Sequence, residues 1–347
     1  MTPIPTGIAS YGMSGKLFHA PFIDVHPGFE LSGIVERNRM DSRERYPHSK
    51  LFRSFEELLA DDSIELVIVN TPTLTHFDYT KAALLAGKKV IVEKPFTVEL
   101  KEAEELAELA EKKGLFLCVY QNRRYDGDYL SVKKVVEQKL LGDLREVEIR
   151  YDRYRPHAAG KPHKEGELPG AGIIYDLGPH LIDQALQLFG WPKAVFADIW
   201  RMRPDVQATD YFEILFYYTD FRVRLKATCI AREPFPAYSL HGMKGSFFQE
   251  RSDQQEQKLL AEVPPSFENW CGEQTQPDGL LHTEIDGQVT RQQTISKPGN
   301  YMYYFDDVYK ALTGQGPNPV PATDGVKTIR IVDAAWRSSK EGRVVEV

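Results

Sequence analysis

The sequence has few cysteines, no long apolar run and no excess of basic residues. Its three cysteines, Cys118, Cys229 and Cys271, are odd in number and far apart, so they predict neither a disulfide framework nor a metal site. Cys118 and Cys229 lie in apolar runs, and we expect them to be buried thiols. The net charge of −7, with dispersed basic residues, excludes a general attraction to nucleic acid or anionic lipid.

No stretch approaches the ~20 apolar residues that a membrane span needs. Residues 1–10 lack the basic start and apolar run of a signal peptide. We therefore predict a cytoplasmic protein with reduced thiols, a small-molecule ligand, and neither a membrane nor a nucleic-acid partner. With 347 residues, 42% of them hydrophobic, the chain is long enough for two domains.

The first third of the chain alternates short apolar runs with helix-patterned segments, which indicates a doubly wound parallel sheet. The predicted strands are residues 6–10, 29–35, 64–70, 89–93 and 115–120. The predicted helices are residues 75–86 and 99–113.

After residue 120 strands follow one another with helices set apart, which favours an α+β domain. The predicted strands are residues 144–154, 194–200, 211–218, 222–229, 238–241 and 246–249. The predicted helices are residues 129–139, 174–189, 300–312 and 324–340. Residues 155–172 are predicted to be a loop, and the polar residues 253–295 an excursion from the sheet.

These patterns predict an α/β chain. An N-terminal Rossmann dinucleotide-binding domain, residues 1–121, precedes a C-terminal α+β domain, residues 122–347, built on an open, mostly antiparallel sheet. The helix at residues 324–340 is a candidate to pack back toward the first domain.

A lysine stands at the end of the fourth predicted strand, in Val90-Ile91-Val92-Glu93-Lys94-Pro95. The proline cannot continue a central strand and favours an extended Lys94. Lys94 is therefore expected at the carboxyl edge of the sheet, where open α/β folds bind ligands. Taken alone, the segment would suit a surface Glu-Lys pair at a strand end better than a functional site.

A candidate phosphate loop follows the first strand, in Ser10-Tyr11-Gly12-Met13-Ser14-Gly15. It has the second and third glycines of the G-x-G-x-x-G pattern, with Ser10 in place of the first. Glu36 follows Gly15 by 21 residues, where an acidic residue would meet the adenosine ribose. The adjacent Arg37 could stack on adenine or neutralise a 2′-phosphate.

An aspartate and a histidine lie four residues apart in Tyr175-Asp176-Leu177-Gly178-Pro179-His180. On one helix they would share a face, so that Asp176 could orient the imidazole and His180 could exchange a proton with a substrate oxygen. The alternatives are a helix cap at Asp176 with a packing histidine, or a two-ligand metal site without a third ligand nearby.

Together these segments resemble the Gfo/Idh/MocA family of oxidoreductases over essentially the whole chain. The motifs that carry the resemblance are Tyr11-Gly12-Met13-Ser14-Gly15, His19-Ala20-Pro21, Asn70-Thr71-Pro72 with His76, Glu93-Lys94-Pro95, Asn122-Arg123-Arg124, and Tyr175 to His180. The run Tyr151-Asp152-Arg153-Tyr154-Arg155-Pro156 is similar to the branch that contains NADP-dependent scyllo-inositol dehydrogenases.

The resemblance implies an NAD(P)-dependent oxidoreductase that acts on a cyclitol or sugar without a metal. It implies that Lys94, Asp176 and His180 are catalytic. Cofactor contacts would come from the residues of the phosphate loop and strand ends: Tyr11, Gly12, Met13, Ser14, Gly15, Glu36, Arg37, Asn70, Thr71, Pro72, His76, Glu93 and Lys94. Substrate contacts would come from Asn122, Arg153 and Tyr175.

Two other functions fit the same motifs: a non-catalytic dinucleotide-binding regulator, and a glycosidase that uses transient oxidation by a retained cofactor. The resemblance also implies dimers, sometimes paired into tetramers. The pattern of residues 211–218 agrees with this, because bulky side chains occupy both alternating sets and suggest an open sheet face that packs on a second copy.

Overall fold

The computed structural model describes residues 2–160 and 162–347, which divide into two compact units. The first unit contains residues 1–122, 255–271 and 300–326. The second contains residues 123–254, 272–299 and 327–347. Two segments from the later part of the sequence therefore fold with the N-terminal strands.

The first unit contains a six-stranded parallel sheet in the order β3-β2-β1-β4-β5-β6. Its strands are β1 (Ile4–Ile8), β2 (Phe29–Val35), β3 (Lys50–Phe52), β4 (Leu66–Val69), β5 (Lys89–Glu93) and β6 (Leu117–Tyr120). The strand order reverses between β1 and β4, the position where doubly wound sheets bind ligands beyond the carboxyl ends of the strands.

Helices alternate with these strands. They are α1 (Ala20–Val25), α2 (Asp41–Arg45), α3 (Phe55–Leu59), α4 (His76–Leu85) and α5 (Leu100–Lys113). A π-helical turn, Gly15–His19, leads into α1. Helix α5 begins at a capping box formed by Glu99 and Glu102 and ends at Gly114, whose φ of +62° suits glycine.

The second unit contains a nine-stranded sheet in the order β14-β13-β12-β11-β7-β10-β9-β8-β15. Its strands are β7 (Leu144–Asp152), β8 (Ala194–Trp200), β9 (Tyr211–Tyr217), β10 (Arg222–Thr228), β11 (Tyr238–Gly242), β12 (Gly245–Gln249), β13 (Gly279–Ile285), β14 (Gln288–Thr294) and β15 (Val345–Glu346). Strands β7 and β10 pair in parallel and the other neighbours are antiparallel.

The remaining helices are α6 (Gly127–Glu137), α7 (Pro162–Glu165), α8 (Ile173–Asp176), α9 (Gly178–Phe189), α10 (Gln255–Leu260), α11 (Met302–Leu312) and α12 (Ala322–Glu341). Strand β9 has one buried face, Phe212, Ile214 and Phe216, which belongs to a core that also contains residues of α9. The opposite face of β9 is half-buried in this chain.

The architecture confirms the predicted fold class, with corrections in detail. Of the predicted excursion 253–295, residues 255–271 do leave the second unit and fold with the first, whereas β13 and β14 extend the edge of the sheet. The predicted loop 155–172 contains α7. The predicted helix 174–189 is two helices, since Pro179 lacks the amide hydrogen that would continue the helical ladder from α8.

Within the described residues, no helix combines the length and apolar character that crossing a bilayer requires. The same residues contain no group of three His, Cys, Asp or Glu side chains arranged to hold a metal ion. Cys118, Cys229 and Cys271 are all buried free thiols, so the predicted burial of Cys118 and Cys229 is confirmed.

Candidate functional site

The predicted phosphate loop connects β1 to the helical turn at Gly15 and is tied to the end of β4. The Asn70 side chain accepts a hydrogen bond from the Ser10 amide at 3.0 Å and donates one to the Ser10 carbonyl at 2.7 Å. A Cβ atom at Gly15 would lie 2.2 Å from that carbonyl oxygen, so only glycine fits.

The loop suits a dinucleotide despite Ser10. Ser10 does not have a positive φ, so this position does not require glycine, and its hydroxyl accepts a hydrogen bond from the Gly12 amide at 3.3 Å. Gly12 and Met13 are exposed, and Gly12 leaves the backbone accessible. An exposed glycine turn that leads from a parallel strand into a helical turn can receive a pyrophosphate. Tyr11 is buried, and burial raises the pKa of its phenol.

Glu36 lies directly after β2, where the sequence predicted it, but its carboxylate is turned into the start of α2. It accepts hydrogen bonds from the amides of Asp41 at 3.2 Å and Ser42 at 2.9 Å, and from the Ser42 hydroxyl. Arg53 donates to the Glu36 carbonyl at 3.0 Å. Arg37 is exposed. The Glu36 charge is thus engaged within the chain, whereas the Arg37 side chain can reach solvent.

Glu93 and Lys94 lie at the carboxyl end of β5, as predicted. One Glu93 oxygen accepts hydrogen bonds from the Ser14 hydroxyl and from His19 Nε2, the latter at 2.8 Å. The other accepts from the Lys94 amide at 3.2 Å. Lys94 is half-buried, and its peptide bond to Pro95 is cis. The structure therefore brings Ser14, Glu93 and the Lys94 backbone together.

His76 connects two of the predicted loops. Its Nδ1 lies 2.7 Å from the Pro95 carbonyl oxygen, and its Nε2 lies 2.9 Å from the Thr71 carbonyl oxygen. The ring is buried, and burial lowers the pKa of His76 against the opposite effect of the two carbonyl groups. Pro72, next to Thr71, is exposed. His76 thus fixes the loop after β4 to the loop after β5.

Asp176 is the last residue of α8 and contacts two cations. Lys164 Nζ lies 2.9 Å from one carboxylate oxygen, and an Arg153 guanidinium nitrogen lies 3.4 Å from the other. The Asp176 side chain is 23% exposed. The residue that caps α9 is Leu177, so the alternative of Asp176 as the cap of that helix is not supported.

His180 lies in the first turn of α9 and is buried. Tyr175 precedes Asp176 on α8 and is half-buried. Both belong to the second unit, together with Arg153 and Asp176, whereas Asn122 is buried in the first. The predicted site residues thus divide between the units, with the dinucleotide motifs in the first and the acid-base pair in the second.

Three guanidinium groups surround the Tyr151 ring. Their carbons lie 5.2 Å (Arg123), 4.7 Å (Arg153) and 4.3 Å (Arg251) from its centroid. Attraction between a cation and the ring face stabilises such an arrangement. The Arg153 side chain is therefore fixed from two directions, by Tyr151 and by Asp176.

Two features of the site are not evident from the sequence. Glu93 forms hydrogen bonds with Ser14 and His19, which lie far from it in the sequence. No local sequence pattern therefore indicates these contacts. Lys164 lies in the segment predicted to be a loop. Its carbonyl accepts a hydrogen bond from the Gly172 amide at 3.0 Å, and this contact closes the segment beside Asp176. A lysine in a Pro- and Gly-rich segment before a D-x-x-x-H motif was the one available signal.

Comparison with known proteins gives matches along both parts of the chain. Residues 4–121 match the profile "Oxidoreductase family, NAD-binding Rossmann fold", and residues 133–347 match "Oxidoreductase family, C-terminal alpha/beta domain". Among curated proteins, the scyllo-inositol 2-dehydrogenase (NADP(+)) IolW of Bacillus subtilis is 37% identical, covering 99% of this chain and 95% of its own. The uncharacterized oxidoreductase YdgJ of Escherichia coli is 38% identical, covering 97% of this chain and 96% of its own.

Solved structures agree over the full length. An oxidoreductase structure from Bacteroides fragilis is 44% identical with a TM-score of 0.90 and covers 100% of both chains. The structure of the oxidoreductase YvaA from Bacillus subtilis is 35% identical with a TM-score of 0.94, covering 100% of this chain and 99% of its own.

Proposed function

Since the chain belongs to the Gfo/Idh/MocA family of oxidoreductases, we propose that its substrate is a cyclitol or sugar, in which one secondary alcohol is oxidised or the matching ketone reduced. The protein is an NAD(P)-dependent dehydrogenase or reductase of small molecules. The observation that carries the proposed substrate class is the whole-chain similarity to a scyllo-inositol 2-dehydrogenase.

The charged groups around Asp176 support a hydroxyl-rich substrate. Arg153 and Lys164 offer several N–H donors, and the Asp176 carboxylate offers acceptors. Polyols need donors and acceptors together, because each hydroxyl group both gives and takes a hydrogen bond. In this proposal Arg153, Tyr175 and Asn122 contact the substrate.

The bound nicotinamide cofactor supplies the hydride chemistry. Lys94 stabilises the negative charge that develops on the reacting oxygen. His180 takes up or returns the hydroxyl proton, and Asp176 stabilises the charged imidazole. The cofactor is held by the phosphate loop, Tyr11 to Gly15, and by the loops at Asn70 to Pro72 and Glu93 to Lys94, which His76 braces.

Both NAD and NADP are proposed cofactors. An acidic residue after β2 ordinarily favours NAD, because it binds the ribose hydroxyls and repels a 2′-phosphate. The Glu36 carboxylate already accepts hydrogen bonds from the start of α2, which reduces that repulsion. Arg37 and Arg39 are exposed and can approach a 2′-phosphate.

We further propose a homodimer or homotetramer that assembles through the half-buried face of the nine-stranded sheet. On β8 and β9 this face presents large apolar side chains, including Trp200, which is 62% exposed, and Phe196, which is 39% exposed. Neighbouring strands add an ion-pair ladder that includes Arg224 with Glu148 and Glu213. The face is therefore more polar than the sequence of β9 alone predicted.

A cofactor-reduction screen tests the proposed activity. Inositol isomers, aldoses and their lactones are incubated with NAD or NADP, and the absorbance of the reduced nicotinamide is followed. We expect reduction with a cyclitol or aldose. Turnover confined to compounds without a ring polyol would contradict the proposed substrate class.

A further inference from the structure

We infer that Glu93 is a positioning residue, which couples the phosphate loop to the backbone of Lys94. The inference rests on the proposed function insofar as Lys94 is catalytic. This role goes beyond the one that the sequence suggested for Glu93, which was a direct cofactor contact.

The contacts of the Glu93 carboxylate carry the inference. Its Oε1 accepts from Ser14, in the phosphate loop, and from His19 at 2.8 Å. Its Oε2 accepts from the Lys94 amide at 3.2 Å. Three donors thus engage the two oxygens, and the Glu93 side chain is only 12% exposed. The carboxylate thus links Ser14 of the phosphate loop to the backbone amide of Lys94.

The charge of Glu93 is kept in spite of burial. Burial alone would raise the pKa of its carboxyl group, but hydrogen bonding and the charge of His19, followed by Ser14 and Lys94, lower that pKa to about 2. Hydrogen bonds to an ionised acceptor are stronger than bonds between neutral groups. The ionised carboxylate therefore holds its three donors firmly at neutral pH.

The His19 ring gives the network a rigid base. It is fully buried, and its centroid lies 4.4 Å from that of the Tyr120 ring on β6. Tyr120 in turn donates a hydrogen bond to the Phe18 carbonyl at 3.0 Å. The Glu93 carboxylate is thus held by a histidine that itself packs against aromatic groups.

The segment that carries Lys94 is held from its other side by His76. The Nδ1 atom of His76 contacts the carbonyl oxygen of Pro95, while the Glu93 carboxylate contacts the amide of Lys94. The backbone on both sides of the Lys94 side chain is therefore restrained. A displacement of a catalytic group by ~1 Å can lower a rate by about 100-fold, so loss of the Glu93 contacts is expected to reach Lys94.

Two double-mutant cycles test the coupling. The first combines Ser14→Ala with Glu93→Gln and measures the dissociation constant for NADPH by fluorescence titration, which needs no substrate. We expect each single variant to weaken binding about three- to tenfold, and the double variant to bind no more weakly than the worse single variant, since both remove one network.

The second cycle combines Glu93→Gln with Lys94→Ala and measures kcat on the substrate identified by the screen. We expect Glu93→Gln to lower kcat about tenfold when Lys94 is present and to have no effect when Lys94 is absent. Glu93→Ala, which removes the hydrogen-bond acceptors as well as the charge, is expected to lower kcat about 100-fold. Glu65→Ala, at an exposed glutamate of the same unit that pairs with Lys89, is the matched control.

The outcomes distinguish the positioning role of Glu93 from the catalytic role of Lys94. Multiplicative effects in both cycles would overturn the positioning role, even if the variant Glu93→Ala fails to fold. Near-normal kcat in Lys94→Ala would overturn the proposed role of Lys94. In that case the first cycle still decides whether Glu93 organises the phosphate loop.

Discussion

The carboxylates of Glu93 and Asp176 differ in their surroundings. Glu93 in the first unit is buried and accepts hydrogen bonds from Ser14, His19 and the Lys94 amide. Asp176 in the second unit is 23% exposed and contacts the cationic side chains of Arg153 and Lys164. The Glu93 carboxylate is fixed by buried partners, whereas the Asp176 carboxylate contacts a fixed arginine and a half-buried lysine, whose charges a substrate can also use.

This difference in surroundings suits the two carboxylates to different roles, Glu93 to positioning the backbone and Asp176 to interacting with the substrate. A buried carboxylate whose partners belong to packed elements holds backbone positions and has little freedom to respond to a ligand. A partly exposed carboxylate between cations can exchange partners when a polar molecule binds, because the long stem of Lys164 is flexible. We therefore expect changes at the exposed group to alter substrate kinetics and changes at the buried group to alter both cofactor binding and turnover.

The largest effect is expected from removal of the proton-transfer groups. Lys94→Ala and His180→Ala should each lower kcat by ~10²–10⁴, because each removes a charge-stabilising or proton-transfer group. Circular dichroism and thermal unfolding should show a folded protein in both cases. Near-normal turnover in either variant would remove that residue from the proposed site.

Lys164→Met is expected to have a smaller effect. Loss of the cation 2.9 Å from Asp176 should lower kcat/KM about tenfold, or ~1.4 kcal/mol. The affinity for NADPH should stay unchanged. Lys164→Arg should recover most of the loss, and Lys193→Met, at an exposed lysine of the same unit, is the control. A loss of cofactor affinity in Lys164→Met would contradict the expected difference between Asp176 and Glu93.

The cofactor preference should be modest. We expect kcat/KM values for NAD and NADP within about 100-fold of each other, which corresponds to ~2.7 kcal/mol. Arg37→Ala should weaken NADP use about tenfold and leave NAD use unchanged, because only NADP carries the 2′-phosphate. Steady-state kinetics with both cofactors measure this, and a wild-type preference above about 100-fold would reject dual use.

The smallest effect on the rate per active site is expected at the sheet face. Light scattering at micromolar concentration should give a dimer or tetramer of the 39.6 kDa chain. Trp200→Glu should shift the protein toward the monomer, whereas Leu85→Glu, at an exposed leucine of α4, should not. A wild-type mass near that of one chain would contradict the proposed assembly.

Much of the parallel sheet could be predicted from the sequence. Buried parallel strands are continuous apolar runs, and β2 and β5 begin and end at the predicted residues. Strand β3 was missed because three residues carry too little pattern. Strand β14 was missed because most of its residues are exposed, so the apolar alternation that marks a half-buried strand is absent.

The local motifs of the site were predictable, but their partners were not. The sequence placed Glu93 and Lys94 at a strand end because proline limits the strand. It could not show that the Glu93 carboxylate meets Ser14, 79 positions earlier in the chain. It also placed Glu36 correctly after β2 without indicating that the short helix α2 would engage its carboxylate.

Transfer of a deuterium label from substrate to cofactor tests the account most directly. A cyclitol or sugar deuterated at the reacting carbon is incubated with the protein and oxidised cofactor, and the nicotinamide is examined by NMR. We predict deuterium on the reduced nicotinamide, with net accumulation of reduced cofactor and ketone. A regulator would transfer no label, and transient oxidation would return the hydride without net reduction. Either result would contradict a dehydrogenase that acts on these alcohols.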